Sequence, residues 1–425
     1  MKAMSSTIAS SVSGSSSSVG AAHKNLDKFK RIMDHVYGEF TTASTWKPKL
    51  YREYTTDGGG GGRYLWTDAF GVINYITLFC ETNDAQYLDQ ADALIHQVHE
   101  ILGRERITDT TTSNNSPPPR RLGAATDEQP TLGGLRIGKN ADEDSDDGDG
   151  QYFHYLTKWM YCLNRMSIAR NNEQYNQWAI DLAKSIHPAF VYHPSGGGSL
   201  GSRSTRMFWK MSIDLKRPLV RSEGNLDPFD GYVTHRILQD TANEKMSSSS
   251  SGVSSVSSSS GGGGDTALSG GGGGGVLERE IHDMRQMVDT KYPHYASNDP
   301  LDLGEALWIS HWYHDEIWSH HISKESLSSI NELWTHGYFR SRSYYRLAFR
   351  EFGTTIGVQV NPIVQRKSGN EWITSRVPML HSFWERDLFS RDSNITPVMY
   401  CSSLIPGAWK RGYVEEHMNK QRSES

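Results

Sequence analysis

Two kinds of helical segment alternate along this chain, and that alternation constrains its fold more than any other feature. From Trp66 to Cys80 nearly every position is apolar or aromatic, including Phe70, Ile73, Ile76 and Phe79, which is the pattern of a helix covered on all sides. In the next segment Tyr87, Leu88, Ala91, Leu94, Ile95, Val98 and Leu102 recur at helical spacing, leaving Asp89, Gln90, Asp92 and Glu100 for water. The pair then returns. Tyr152 to Ile168 is crowded with Phe153, Leu156, Trp159, Met160 and Leu163, and Tyr175, Trp178, Ala179, Leu182 and Ile186 mark another one-faced helix. An all-α fold of alternating inner and outer helices follows.

An internal echo supports this. Gln86-Tyr87-x3-Ala91-x2-Leu94 matches Gln174-Tyr175-x3-Ala179-x2-Leu182, each preceded by Asn and an acid suited to starting a helix. Further inner segments are expected at Asp227 to Leu238, Leu303 to Trp318 and Tyr344 to Val360, and outer ones at Val276 to Val288 and Lys324 to Trp334. The Ser-rich stretch 1–24 reads as a disordered tail, with organellar targeting as the alternative to a cytoplasmic location. Flexible insertions are expected at about 108–130 and 247–275, whose compositions bury too little apolar surface to offset the entropy of ordering them. They interrupt a single domain over 25–415, and a polar tail follows at 416–425.

The net charge of −5, with no basic patch, argues against nucleic acid as a partner. No segment approaches the roughly 18 apolar residues that would span a bilayer, so no membrane partner is expected. Three cysteines do not make a disulfide scaffold.

Gly133-Gly134-Leu135-Arg136-Ile137-Gly138-Lys139-Asn140 nearly spells a phosphate-binding loop, but Asn140 replaces the hydroxyl that should hold Mg²⁺ and no apolar strand precedes it. The loop could instead present Arg136 and Lys139 to a ligand. Acids gather where inner helices should start: Asp68, Asp149, Asp227 with Asp230, and Asp302 with Glu305. Capping and dipole chemistry explain any one of them. If the inner helices all start on one side, however, their carboxyls converge, and convergence is what glycosidic bond hydrolysis requires. Asp230 is the first candidate for acid or base, because Gly231 beside it would admit a ligand; Asp68 and Asp214 follow. Lys210 and Asp214 lie four apart and would share a helical face beside Trp209. His154, in Asp149-Gly150-Gln151-Tyr152-Phe153-His154-Tyr155, titrates in the range that moves protons at carbon.

With the Tyr-x3-Ala-x2-Leu outer helices and aromatic inner helices such as Leu65-Trp66-Thr67-Asp68-Ala69-Phe70, the chain resembles the six-hairpin glycosidase-like superfamily. That resemblance implies an (α/α)6 toroid and a carbohydrate-active enzyme, with a glycoside hydrolase expected first. The catalytic candidates are Asp230, Asp68, Asp214 and His154. A short or uronic-type saccharide would be bound by Trp66, Arg136, Lys139, Asp149, Gln151, Tyr152, Trp159, Phe208, Trp209, Lys210 and Asp227, with no cofactor or metal. A sugar 2-epimerase or isomerase using paired histidines, or a non-catalytic helical ring that binds a metabolite or partner, are the alternatives.

Overall fold

The computed structural model describes residues 14–52, 61–106, 118–194, 205–251, 275–366 and 370–424. Helix dominates. α1 (Gly14–Tyr37) is followed by α2 (Leu65–Thr82) and α3 (Gln86–Leu102), and β1 (Gln151–Tyr152) leads into α4 (Phe153–Arg170) and α5 (Glu173–Phe190). The short strands β2 (Val191–Tyr192), β3 (Arg206–Met207), β4 (Lys210–Met211) and β5 (Pro218–Val220) precede α6 (Asp227–Ser251) and α7 (Glu278–Lys291). Then come α8 (Pro300–His311), α9 (Ile317–Thr335), α10 (Ala348–Val360), the short α11 (Pro362–Arg366), α12 (Glu371–Thr374) and α13 (Val377–Trp384), and finally α14 (Ile395–Leu404) and α15 (Tyr413–Glu424).

The two helix types predicted from periodicity differ in burial as expected. Every residue of α2 from Leu65 to Phe79 is buried, whereas α3 buries one face and exposes His96 and Glu100. Gln90, expected in water, is buried within hydrogen-bonding reach of the Tyr75 hydroxyl at 3.5 Å. At the start of α3 it is the acid of the repeated pair that accepts a backbone N–H, and at the start of α5 it is the Asn. Asn83 and Asn171 end α2 and α4 in the left-handed conformation, and the side chains of Asp84 and Asn172 each accept a backbone N–H two residues on, at 3.0 Å.

α2 packs on α3, α4 and α14; α4 on α5 and α6; α6 on α7 and α8; α8 on α9 and α10; and α10 on α13 and α14, with α1 lying on α14. Small antiparallel sheets decorate the helices, one ordered β1-β4-β5 and the other pairing β2 with β3.

Several boundaries differ from the sequence expectation. The inner segment over Leu303 to Trp318 is two helices, since α8 stops at His311 and α9 starts at Ile317. Part of the 1–24 tail, from Gly14, belongs to α1, and the 416–425 tail lies in α15 as far as Glu424. Within the 108–130 insertion, residues 118–130 are held by side chains of outer helices: the Trp178 indole donates to the Glu128 carbonyl at 2.8 Å, and Leu122 is buried. A polar loop can be ordered without a core of its own when neighbouring helices satisfy its backbone. Residues 1–13, 107–117 and 252–274, which cover most of the expected tail and insertions, lie outside the described residues. Among the described residues no helix is long and apolar enough to cross a membrane.

Candidate active site

A cavity of about 590 Å³ opens where helices begin. Its wall takes Trp66 from the first turn of α2, His154 and Tyr155 from α4, Asp227 from α6, Asp302 and Glu305 from α8, Phe349 and Arg350 from α10, and Ile395 from α14. The aromatic side is built by local structure. Tyr152 and Trp209 face each other with ring centroids 5.5 Å apart; the Trp209 carbonyl accepts the Phe153 N–H at 3.3 Å, and its own N–H donates to the Ser222 carbonyl at 3.0 Å. Trp66 packs on Tyr155 at 5.1 Å, and the Tyr64 and Tyr155 hydroxyls share a 2.6 Å hydrogen bond.

The acidic side rests on one buried ammonium. Lys158, on α4, is 2.5 Å from Asp230 Oδ2 and also ion-paired with Glu305, and it lies 4.8 Å from the centre of the Trp308 ring. Burial works against its charge, but the two carboxylates outweigh burial and hold its pKa above the ordinary lysine value. Glu305 is displaced upward, first by burial and then by Asp230, while Lys158 pulls it back. Asp227 has no such cation. Only 3% exposed, it is held well above the usual carboxylate range by burial and by the charges of Asp230 and Glu305. Its Oδ1 lies 3.6 Å from His154 Nδ1, and its Oδ2 has no hydrogen-bond partner among the described residues. A side chain at Gly224 would fill this space, since a Cβ there would sit 2.4 Å from Asp227 Oδ2.

The result is a pair of cavity-facing carboxyls in unequal environments. Burial, then Lys158, drives His154 down to about 3, so its ring is neutral near pH 7. Its Nδ1 accepts the Trp209 indole N–H at 3.2 Å, which leaves the ring proton on Nε2.

Of the sequence candidates, Trp66, Tyr152, His154, Trp209 and Asp227 line this cavity. Asp230 does not. Its Oδ2 accepts from Thr157 Oγ1 at 2.7 Å and binds Lys158 beneath the site, and Gly231 serves helix packing, since a Cβ there would meet the Met284 sulfur at 2.8 Å. Asp68 is a buried structural acid holding Arg63 and the Tyr51 hydroxyl at 2.5 Å. Asp214 sits in an exposed turn, accepting from Ser212 Oγ at 2.7 Å, while Lys210 lies in β4 rather than a helix, donates to the Gly148 carbonyl at 2.9 Å and covers the Tyr152 ring.

The near phosphate-loop does grasp an anion, but a resident one. Asp149 accepts from the Gly138 and Lys139 amides at 2.9 and 3.3 Å and from Arg136 at 2.9 Å, while the Lys139 side chain pairs with Asp147. Gln151 bonds the Gly133 and Ile213 carbonyls and the Leu135 amide. The Trp159 indole donates to His99, and Phe208 stacks on Tyr192. Arg136, Lys139, Asp149, Gln151, Trp159, Phe208 and Lys210 are therefore outside the cavity wall.

Glu305 and Lys158 are the residues that sequence reasoning left without a role. Glu305 was visible as a helix-start acid, whereas Lys158 had no signal beyond its position in an otherwise apolar segment. Among the described residues, no group of three or more His, Cys, Asp or Glu is placed to hold a metal. No family model matches the chain, and no curated protein matches it.

Proposed function

We propose that the chain is a glycoside hydrolase whose helices form an (α/α)6 toroid of the six-hairpin kind, with α2, α4, α6, α8, α10 and α14 as the inner helices. The order of packing supports that architecture: each of these helices packs on the next, and α14 packs on α2. The observation that carries the function is the pair Asp227 and Glu305, two carboxyls in one cavity, of which Glu305 is ion-paired with Lys158 and Asp227 is not.

Asp227, lacking a cation, keeps its proton and gives it to the departing glycosidic oxygen. Glu305, whose ionised form is the one Lys158 favours, takes a proton from the water that attacks the anomeric carbon once it has lost its own. Trp66, Tyr152 and Trp209 offer apolar ring faces to the sugar while the carboxyls bond its hydroxyls. An epimerase with paired histidines has less support, because His154 is the one histidine among the described residues that line the cavity.

A screen of aryl glycosides and free sugars, reading bond cleavage and change of configuration together, tests this reading. Cleavage that disappears in Asp227→Asn is expected. Epimerisation without cleavage, or neither activity on any sugar that binds, would overturn it.

A further inference from the structure

The charge on the cavity wall bears on which saccharide the site takes. Five carboxyls line it: Glu223, Asp227, Asp299, Asp302 and Glu305. Two are neutralised locally. Glu223 pairs with Arg206 and Lys291 at 2.7 and 2.9 Å, and Asp299 with Arg350. Lys158 must serve both Glu305 and Asp230. Among the described residues, Asp302 bonds the neutral Ser297 and Asn225, and Asp227 meets the neutral His154 ring, with no cation in contact with either. Set against Arg206, Lys291, Arg350 and Lys158, the carboxyls Glu223, Asp299, Asp227, Asp230, Asp302 and Glu305 leave an excess of two around the cavity.

Three effects could relieve that excess. The starts of α6 and α8 bring partial positive charge, but a helix terminus is worth only about 0.3–1 kcal/mol to an anion. Protonation can relieve it without any ligand, in line with the upward displacement of Asp227, Asp302 and Glu305. A ligand with its own positive charge would relieve it with fewer of these carboxyls protonated, whereas hydroxyls offer hydrogen bonds and no charge, and a uronate would add a further anion. Ammonium groups are also drawn to aromatic faces such as those of Trp66 and Trp209. The unpartnered, buried Oδ2 of Asp227 marks where such a ligand would be received.

We infer that the cavity takes a sugar bearing a protonated amine, in preference to its neutral or uronic counterpart. The inference rests on the saccharide reading above and departs from the uronic-type substrate that the sequence suggested.

The test is calorimetric binding to the full chain at pH 6. Methyl glycosides of the 2-amino sugars of gluco, galacto and manno configuration are compared with their neutral parents, N-acetyl forms and uronic acids. The best amino sugar should bind at least about fivefold more tightly than its parent, the worth of one partly screened ion pair. That preference should vanish in the Asp227→Asn, Asp302→Asn double variant. A parent binding within about fivefold, a uronate binding more tightly, or a preference surviving in the double variant overturns the inference and leaves the hydrolase reading standing. Absence of binding by every sugar at millimolar concentration overturns both.

Discussion

Asp227 and Asp230 lie three residues apart on the first turn of α6, yet one faces the cavity and the other holds Lys158 beneath it. The same local sequence therefore supplies a candidate proton donor and a structural counter-ion, and substitution separates the roles. Asp227→Asn preserves shape and removes the transferable proton, so turnover should fall by about two to four orders of magnitude, with little change in melting temperature. Full activity in Asp227→Asn would remove it from the chemistry.

Asp230→Asn should behave in the opposite sense. Lys158 keeps Glu305 but loses a charged partner in a dry site, so urea denaturation should show a loss of about 1–3 kcal/mol. A neutral effect on stability would show that the buried pair is dispensable.

Lys158→Met removes the cation shared by Asp230 and Glu305, at a cost of about 3–5 kcal/mol near pH 7. The cost should shrink toward pH 5. Carboxyls whose folded pKa is raised bind more protons folded than unfolded, so their ionisation penalty grows as pH rises and falls away as pH drops. A pH-independent cost, measured by denaturation at both pH values, would assign the loss to packing instead.

The native chain should be most stable around pH 6–7, by two opposed linkages. Burial holds His99, His154, His235 and His311 down to about 3 and His381 to about 4. The unfolded chain takes up these protons first, so each histidine costs up to about 1.4 kcal/mol per pH unit below about 6.5. Asp227, Asp302 and Glu305 act with the reverse sign, and their contribution declines as pH rises through their raised values. Urea midpoints between pH 4.5 and 8.5 would check the shape, and stability increasing steadily with acid would contradict it.

Arg346→Lys should cost about 1–3 kcal/mol. Arg346 bonds Glu351 twice, Nε to Oε1 at 2.7 Å and the terminal nitrogen to Oε2 at 2.6 Å, with both side chains buried, and the Trp384 indole from α13 completes the carboxylate at 2.7 Å. A lysine offers one point charge where the fork made two bonds, and leaves an oxygen short of a donor. Thermal denaturation of this variant should show the loss, and an unchanged midpoint would count against the bidentate geometry.

What the sequence determined by itself was local: which segments are helices, which bury every face and which bury one. α2 and α3 were legible because burial repeats with the helix period, and the starts of α3 and α5 because capping by Asp84 and Asn172 acts within a few residues. The cavity residues Trp66, Tyr152, His154 and Asp227 could be nominated from their places at expected helix starts, and Trp209 as an aromatic beside Lys210. Tertiary structure alone decided between Asp227 and Asp230, because the direction each carboxyl faces depends on where α4 presents Lys158 and α8 presents Glu305, some 70 to 80 positions away along the chain. It also decided that Asp149, rather than a ligand, occupies the loop of Gly138 and Arg136. A carboxylate beside a basic loop reads the same in sequence whether the two bind each other or a third molecule, and only distance separates the cases.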